Sequence, residues 1–146
     1  MAGGSKPTVY LFHGEDEFGI SSEIAKIKDR LGDDQAVGMN FTVLEPGTYS
    51  LADLRGLALT MGFFDTRRVV VAKSPLKQFS KGDDKKGFQS LLESLPAETA
   101  LVIAEPASLN NNQWLLKWAR ENPGKVYERN FPIESGGSMA AWIQQR

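Results

Sequence analysis

The chain has 146 residues, with 17 Lys+Arg against 18 Asp+Glu, a net charge of −1, and 41% hydrophobic residues. That length suits one globular domain burying roughly 70% of its unfolded surface. The charge balance excludes a domain that attracts nucleic acid by its overall field. There is no cysteine and a single histidine. These counts exclude a disulfide scaffold, a thiolate nucleophile, Cys-ligated zinc or iron–sulfur clusters and His-rich metal sites.

No segment reaches the roughly 18 consecutive apolar residues of a membrane span, and no signal stretch opens the chain. A cytoplasmic protein is therefore expected. Residues 1–7 read as a leader or cloning remnant and are set apart from the fold.

The first strand is predicted at Thr8-Val9-Tyr10-Leu11-Phe12-His13, an apolar run of the kind buried on both faces of a parallel sheet, closed by Gly14. Ile20, Ile24, Ile27 and Leu31 then recur at helical spacing up to Gly32, with Glu15, Asp16 and Glu17 at the start, where the helix dipole favours acids. A second strand is predicted at Phe41–Leu44. Ser50 fits the N-cap of a helix carrying Leu51, Leu54, Leu57 and Ala58.

The clearest strand is Arg68-Val69-Val70-Val71-Ala72, ended by Ser74-Pro75. The polar stretch Lys77 to Lys86 reads as a mobile loop before a helix with Phe88, Leu91, Leu92 and Leu95. A fourth strand, Ala100–Ala104, is followed by a helix starting near Asn110 or Asn111 and running through Trp114 and Trp118. Those two rings, four residues apart, are most simply core packing. A short strand at Lys125–Glu128 and the opening of a last helix at Ser138–Ile143 complete the pattern. Strands alternating with helices predict a doubly wound α/β domain. The stop at Arg146, soon after a helix begins, reads as a cut from a longer protein.

In an open parallel sheet ligands gather at the carboxyl ends of the strands, which directs attention to the loop after strand one. Gly14 and Gly19 are five apart, as in a phosphate-binding loop, but Ile20 replaces the lysine and three carboxylates occupy the cradle. Nucleotide binding there is not expected. Glu15, Asp16 and Glu17 could hold magnesium as in a receiver domain, but Lys73-Ser74 stands where the phosphoacceptor Asp should be. Charges at a helix N-terminus are the simpler reading of these acids. His13, ending a buried strand, reads as a hydrogen-bonded structural residue before it reads as a base. No active site is visible.

The unusual feature is Thr60-Met61-Gly62-Phe63-Phe64-Asp65-Thr66-Arg67-Arg68, an apolar cluster in a connection that is normally polar. One reading folds the rings under the sheet edge as core. The other presents Met61, Phe63 and Phe64 as an exposed wedge marking a partner site. Arg67, Arg68, Lys73, Lys77, Lys81, Lys85 and Lys86 form the one local positive excess. Asp83 and Asp84 dilute it and no aromatics interleave, so a solvated loop is the simpler reading over a DNA path.

Val9-Tyr10-Leu11-Phe12-His13-Gly14-Glu15-Asp16-Glu17-Phe18 resembles the opening of the bacterial DNA polymerase III delta subunit family, the clamp-loader wrench. Phe63-Phe64-Asp65-Thr66-Arg67-Arg68-Val69-Val70-Val71 is similar to its second marker, an apolar-Phe pair before an Arg and a Val-rich strand. Leu109-Asn110, Val126-Tyr127-Glu128 and Trp142-Ile143 continue the match. The resemblance implies an AAA+-like three-layer α/β/α domain with a five-stranded parallel sheet and a degenerate nucleotide site, over residues 8–131. Residues 132–146 would then be a linker and the truncated start of a helical domain.

It also implies a role in DNA replication: binding the beta sliding clamp and opening its ring for loading onto DNA. Met61, Phe63 and Phe64 would enter a hydrophobic pocket on the clamp. Arg67, Lys77 and Lys81 would be available for DNA or a sister subunit. The partners implied are the clamp, the delta prime and tau/gamma subunits, and DNA in the full complex, with no membrane. The chain would have no catalytic residue, cofactor or metal of its own and would serve a DNA-directed DNA polymerase holoenzyme. Some members carry a Gln four residues before the apolar-Phe pair, where this chain has Leu59. An α/β nucleotide-binding or receiver-like switch is the alternative.

Overall fold

The computed structural model describes residues 7–30, 40–59 and 68–133. Its elements are β1 (Val9–His13), α1 (Glu17–Asp29), β2 (Phe41–Leu44), α2 (Leu51–Ala58), β3 (Arg68–Lys73), α3 (Pro75–Gln78), α4 (Gly82–Ser94), β4 (Thr99–Glu105), α5 (Trp114–Glu121) and β5 (Val126–Asn130). The strands form one sheet in the order β2-β3-β4-β1-β5, and every pairing is parallel. Parallel neighbours need long crossovers, which is why a helix follows almost every strand.

The apolar runs alternate between two faces. Val9, Leu11, Val70, Ala72, Leu101 and Ile103 pack against Leu54 and Ala58 of α2, Phe88, Leu91 and Leu92 of α4, and Leu115, Leu116 and Trp118 of α5. Phe12, Val69, Val71, Ala100 and Val102 pack on the other face against Ile20 of α1 and Phe131, with Ile24, Ile27 and Phe41 alongside. Three layers result. Trp118 lies in the first core and Trp114 packs beside it, its ring edge-on to Phe88 at 6.0 Å, as the sequence reading has it.

Local chemistry sets the helix starts. Ser50 accepts from Asp53 N–H while the Asp53 carboxylate accepts from Ser50 N–H, a capping box at α2. Asp16 caps α1 by accepting from Gly19 N–H at 3.0 Å, and Glu17 lies in the first turn. Two of the three acids after β1 thus serve the helix terminus.

Three expectations need correction. Lys77–Lys86 is not a loop: Pro75 opens the short α3, Phe79 is buried, and α4 begins at Gly82. The first turn of α4 faces solvent, so its apolar pattern starts only at Phe88. Acidic Asp83 and Asp84 suit that turn. α5 begins at Trp114, because Asn110 makes a turn instead, its side chain accepting from Asn112 N–H at 2.8 Å. β5 extends through polar Arg129 and Asn130, which an edge strand tolerates. Met61, Phe63, Phe64, Arg67 and the helix expected at Ser138–Ile143 lie outside the described residues.

Gly14 has φ +138°, and a Cβ there would lie 2.2 Å from the Phe131 carbonyl oxygen. Both the backbone angle and the space require glycine. We expect Gly14→Ala to lower unfolding free energy by about 2–4 kcal/mol, read from the midpoint of chemical denaturation.

Candidate functional site

The two ends of the sheet differ. At the carboxyl end, where nucleotide folds bind their ligand, the chain closes on itself. Phe131 N–H donates to the His13 carbonyl at 2.7 Å, and Asp16 N–H donates to the Phe131 carbonyl at 2.9 Å. A Cβ on Gly19 would meet Asp16 Oδ2 at 2.6 Å and the Phe131 ring at 3.0 Å. The two glycines with phosphate-loop spacing therefore admit the chain's own Phe131 and Asp16. Glu15 and Glu17 add negative charge beside them.

His13 is buried. Its Nδ1 accepts from Leu109 N–H at 2.9 Å, which leaves Nε2 to donate to Glu128 Oε2 at 2.7 Å. One imidazole thereby joins β1, β5 and the segment before α5. It is fully engaged as a structural residue, in line with the sequence reading.

Sequence reasoning missed Glu105, the last residue of β4 and only 7% exposed. Its Oε2 accepts from Leu76 N–H at 2.9 Å, tying β4 to the first turn of α3. Burial lifts its carboxyl from 4.5 to about 6, with the Leu76 hydrogen bond pulling the other way. Tyr49 lies in the same buried region. Its hydroxyl donates to the Lys73 carbonyl at 3.0 Å, and its own carbonyl accepts from Gln78 Nε2. Desolvation, with the charge of Glu105 as a lesser cause, pushes the phenol up. No local sequence signal marks Glu105, because it follows an apolar strand as any turn acid would.

The opposite end bears the connection from α2 to β3, whose residues 60–67 lie outside the described set. Both its flanks are fixed. Thr99 Oγ1 donates to the Ala58 carbonyl at 2.7 Å, and Arg68 Nε donates to the Leu57 carbonyl at 3.1 Å. Arg68 N–H also donates to the Glu98 carbonyl at 2.8 Å. Arg68 is 8% exposed, so it belongs to the fold and not to a solvated basic patch, which corrects the sequence reading. Leu59, the last described residue before the connection, is 43% exposed.

Lys77 on α3 and Lys81 at the N-cap of α4 are exposed at the carboxyl side of β3, the end away from Arg68. Lys73 is held by Glu45 at 3.3 Å. The basic excess of the sequence is thus divided between two ends of the domain. Among the described residues, no three His, Asp or Glu side chains converge to hold a metal ion, and no helix is long and apolar enough to cross a membrane.

A five-stranded parallel sheet in this order, with helices on both faces, defines an AAA+-like α/β/α domain. A family model described as DNA polymerase III, delta subunit, matches residues 10–123, and the chain belongs to that family. The fold is similar to that of the Bacillus subtilis DNA clamp loader delta protein YqeN, with TM-score 0.76 and 18% identity. The match covers 96% of this chain and 42% of that one. A DNA polymerase III gamma subunit-related protein from Thermotoga maritima is also similar, with TM-score 0.54 and 14% identity over 99% of this chain and 47% of the other. The chain spans less than half the length of both. No curated protein matches its sequence.

Two outcomes are expected. A Glu105 carboxyl raised in the fold favours the protonated form, so its contribution to stability is complete below pH 4.5 and lost as pH rises through about 6. That contribution is about 2 kcal/mol. Glu105→Gln should remove it, seen as a flatter stability profile between those pH values in denaturant titrations. Arg68→Ala should destabilise by about 2 kcal/mol, since it strips a charged donor from a buried carbonyl, measured in the same way.

Proposed function

We propose that the chain is the clamp-contacting domain of a clamp-loader delta subunit, acting in bacterial DNA replication in the cytoplasm. Met61, Phe63 and Phe64 enter an apolar pocket on the beta sliding clamp, and their binding favours the opened ring. Residues 8–131 form this domain and 132–146 lead into the next. The remainder of the full-length protein joins it to delta prime and tau/gamma, with Arg67, Lys77 and Lys81 available to DNA or a sister subunit.

The observation that carries this reading is the anchoring of the connection's two flanks. Thr99 and Arg68 bind the last carbonyls of α2, and Arg68 opens β3 within the sheet. An apolar segment held at both ends by a rigid body can transmit force to whatever its side chains grip. Family membership supports the same role.

The chemistry is binding, with no bond made or broken by this chain. Two aromatic anchors supply several kcal/mol at an interface. That energy opens a ring only to the extent that the open form is bound more tightly than the closed one. ATP hydrolysis belongs to sister subunits.

The test is binding of the chain to a bacterial sliding clamp by surface resonance or calorimetry, beside Phe63→Ala, Phe64→Ala. The expected result is micromolar affinity that falls at least about 30-fold in the double variant, with an unchanged circular dichroism spectrum. Equal binding by both proteins, or none by the intact chain, would overturn the assignment of these rings.

A further inference from the structure

α1 covers its face of the sheet unevenly. Toward the β5 edge it leaves a cleft of about 300 Å³, lined by Tyr10, Phe12 and Tyr127 from β1 and β5, by Glu23 and Lys26 from α1, and by Arg30 at its C-cap. β1 and β5 run parallel with Tyr10 beside Tyr127, so strand alternation brings all three rings to this one face. Tyr10 and Phe12 meet the Tyr127 ring edge-on at 6.1 Å and 6.2 Å, at 70° and 89°. The Tyr127 ring is held by both and is still 45% exposed.

The charges around this ring are mainly positive. Lys26 and Arg30, one turn apart, rise on the helical wall. Arg129 on the strand side lies over the Phe131 ring at 4.6 Å. Glu23 holds Arg129 at 3.1 Å and Lys26 at 3.7 Å, so one carboxylate orients two cations without neutralising the group. A fixed, half-exposed aromatic ring flanked by cations is the arrangement that holds a stacked base with its neighbouring phosphates. The Lys77–Lys86 run has the cations without the rings.

We infer that the cleft between α1 and the β1–β5 edge binds single-stranded nucleic acid, with one base on Tyr127 and adjacent phosphates on Lys26 and Arg30. The cleft has room for a single base, and stacking accepts any base, so the site reads no sequence. With the chain's net charge of −1, the strand is drawn in by these local cations and not by the overall field, and binding is weak and salt-dependent. The site shares no residue with the segment proposed to bind the clamp, and its failure would leave the clamp reading standing.

The experiment titrates a fluorescein-labelled oligothymidylate of about twelve nucleotides with the 146-residue chain at low salt, by anisotropy. Tyr127→Ala should weaken binding about ten-fold while Tyr127→Phe retains it. Lys26→Ala with Arg30→Ala should weaken binding and reduce the slope of log affinity against log salt by about 1.4, the value for two phosphate contacts. Lys117→Ala, an exposed position of α5 on the other face of the sheet, should change nothing. The inference is overturned by absence of binding, by unchanged binding in Tyr127→Ala, or by loss in the Lys117 variant. It is equally overturned if an oligoglutamate displaces the label as well as unlabelled oligothymidylate does, since the cleft would then be an unspecific anion site.

Discussion

β4 is hydrogen-bonded to a neighbour along each edge and covered by side chains on each face. Everything else is arranged around keeping that strand dry. A strand buried in this way is apolar along its middle, here Ala100 to Ala104, as are the stretches of β3 and β1 beside it, and its polar ends Thr99 and Glu105 are hydrogen-bonded. Its neighbours are parallel to it, so the connections cross over the faces as helices. The residues left free of the two cores are thereby those at the ends of the sheet and along its open edge at β5.

Those ends have opposite characters. At the carboxyl end the loop after β1 is filled by the chain itself: Phe131 crosses it, Asp16 caps α1, and Gly14 and Gly19 supply the clearance. The other end is a firm base, where Thr99 and Arg68 hold the carbonyls that finish α2.

Much of the fold was legible because it rests on local patterns. The run Val69-Val70-Val71, the Ser50 N-cap and the spacing of Phe88, Leu91 and Leu92 each announce their structure within a few residues. The start of α4 was not legible, since Lys81 to Lys86 faces water and helical surface looks like loop when read alone. Of the site, Met61, Phe63 and Phe64 stood out through their apolar character in a connection and through family resemblance. Arg68 and Glu105 could not be recognised. Their burial depends on carbonyls and amides contributed by Leu57 and Leu76, and nothing in the adjoining sequence records those partners. The Tyr10–Tyr127 cleft was hidden for the same reason, its two walls being joined only by the parallel register of β1 and β5.

That register also bears on how the protein is made. β1 emerges first from the ribosome, yet Val9 lies opposite Leu101 on one side and Val126 on the other. At synthesis rates of about 5–20 residues per second, the first strand waits roughly 5–20 seconds for its nearer neighbour. During that interval the most apolar strand at the N-terminus has an unpaired backbone on both edges. The β2–β3 pair can form earlier, but β1 has no partner until β4 is made, and its second edge stays open until β5 follows. A nascent chain cut short before β4 therefore has no partner for its first strand.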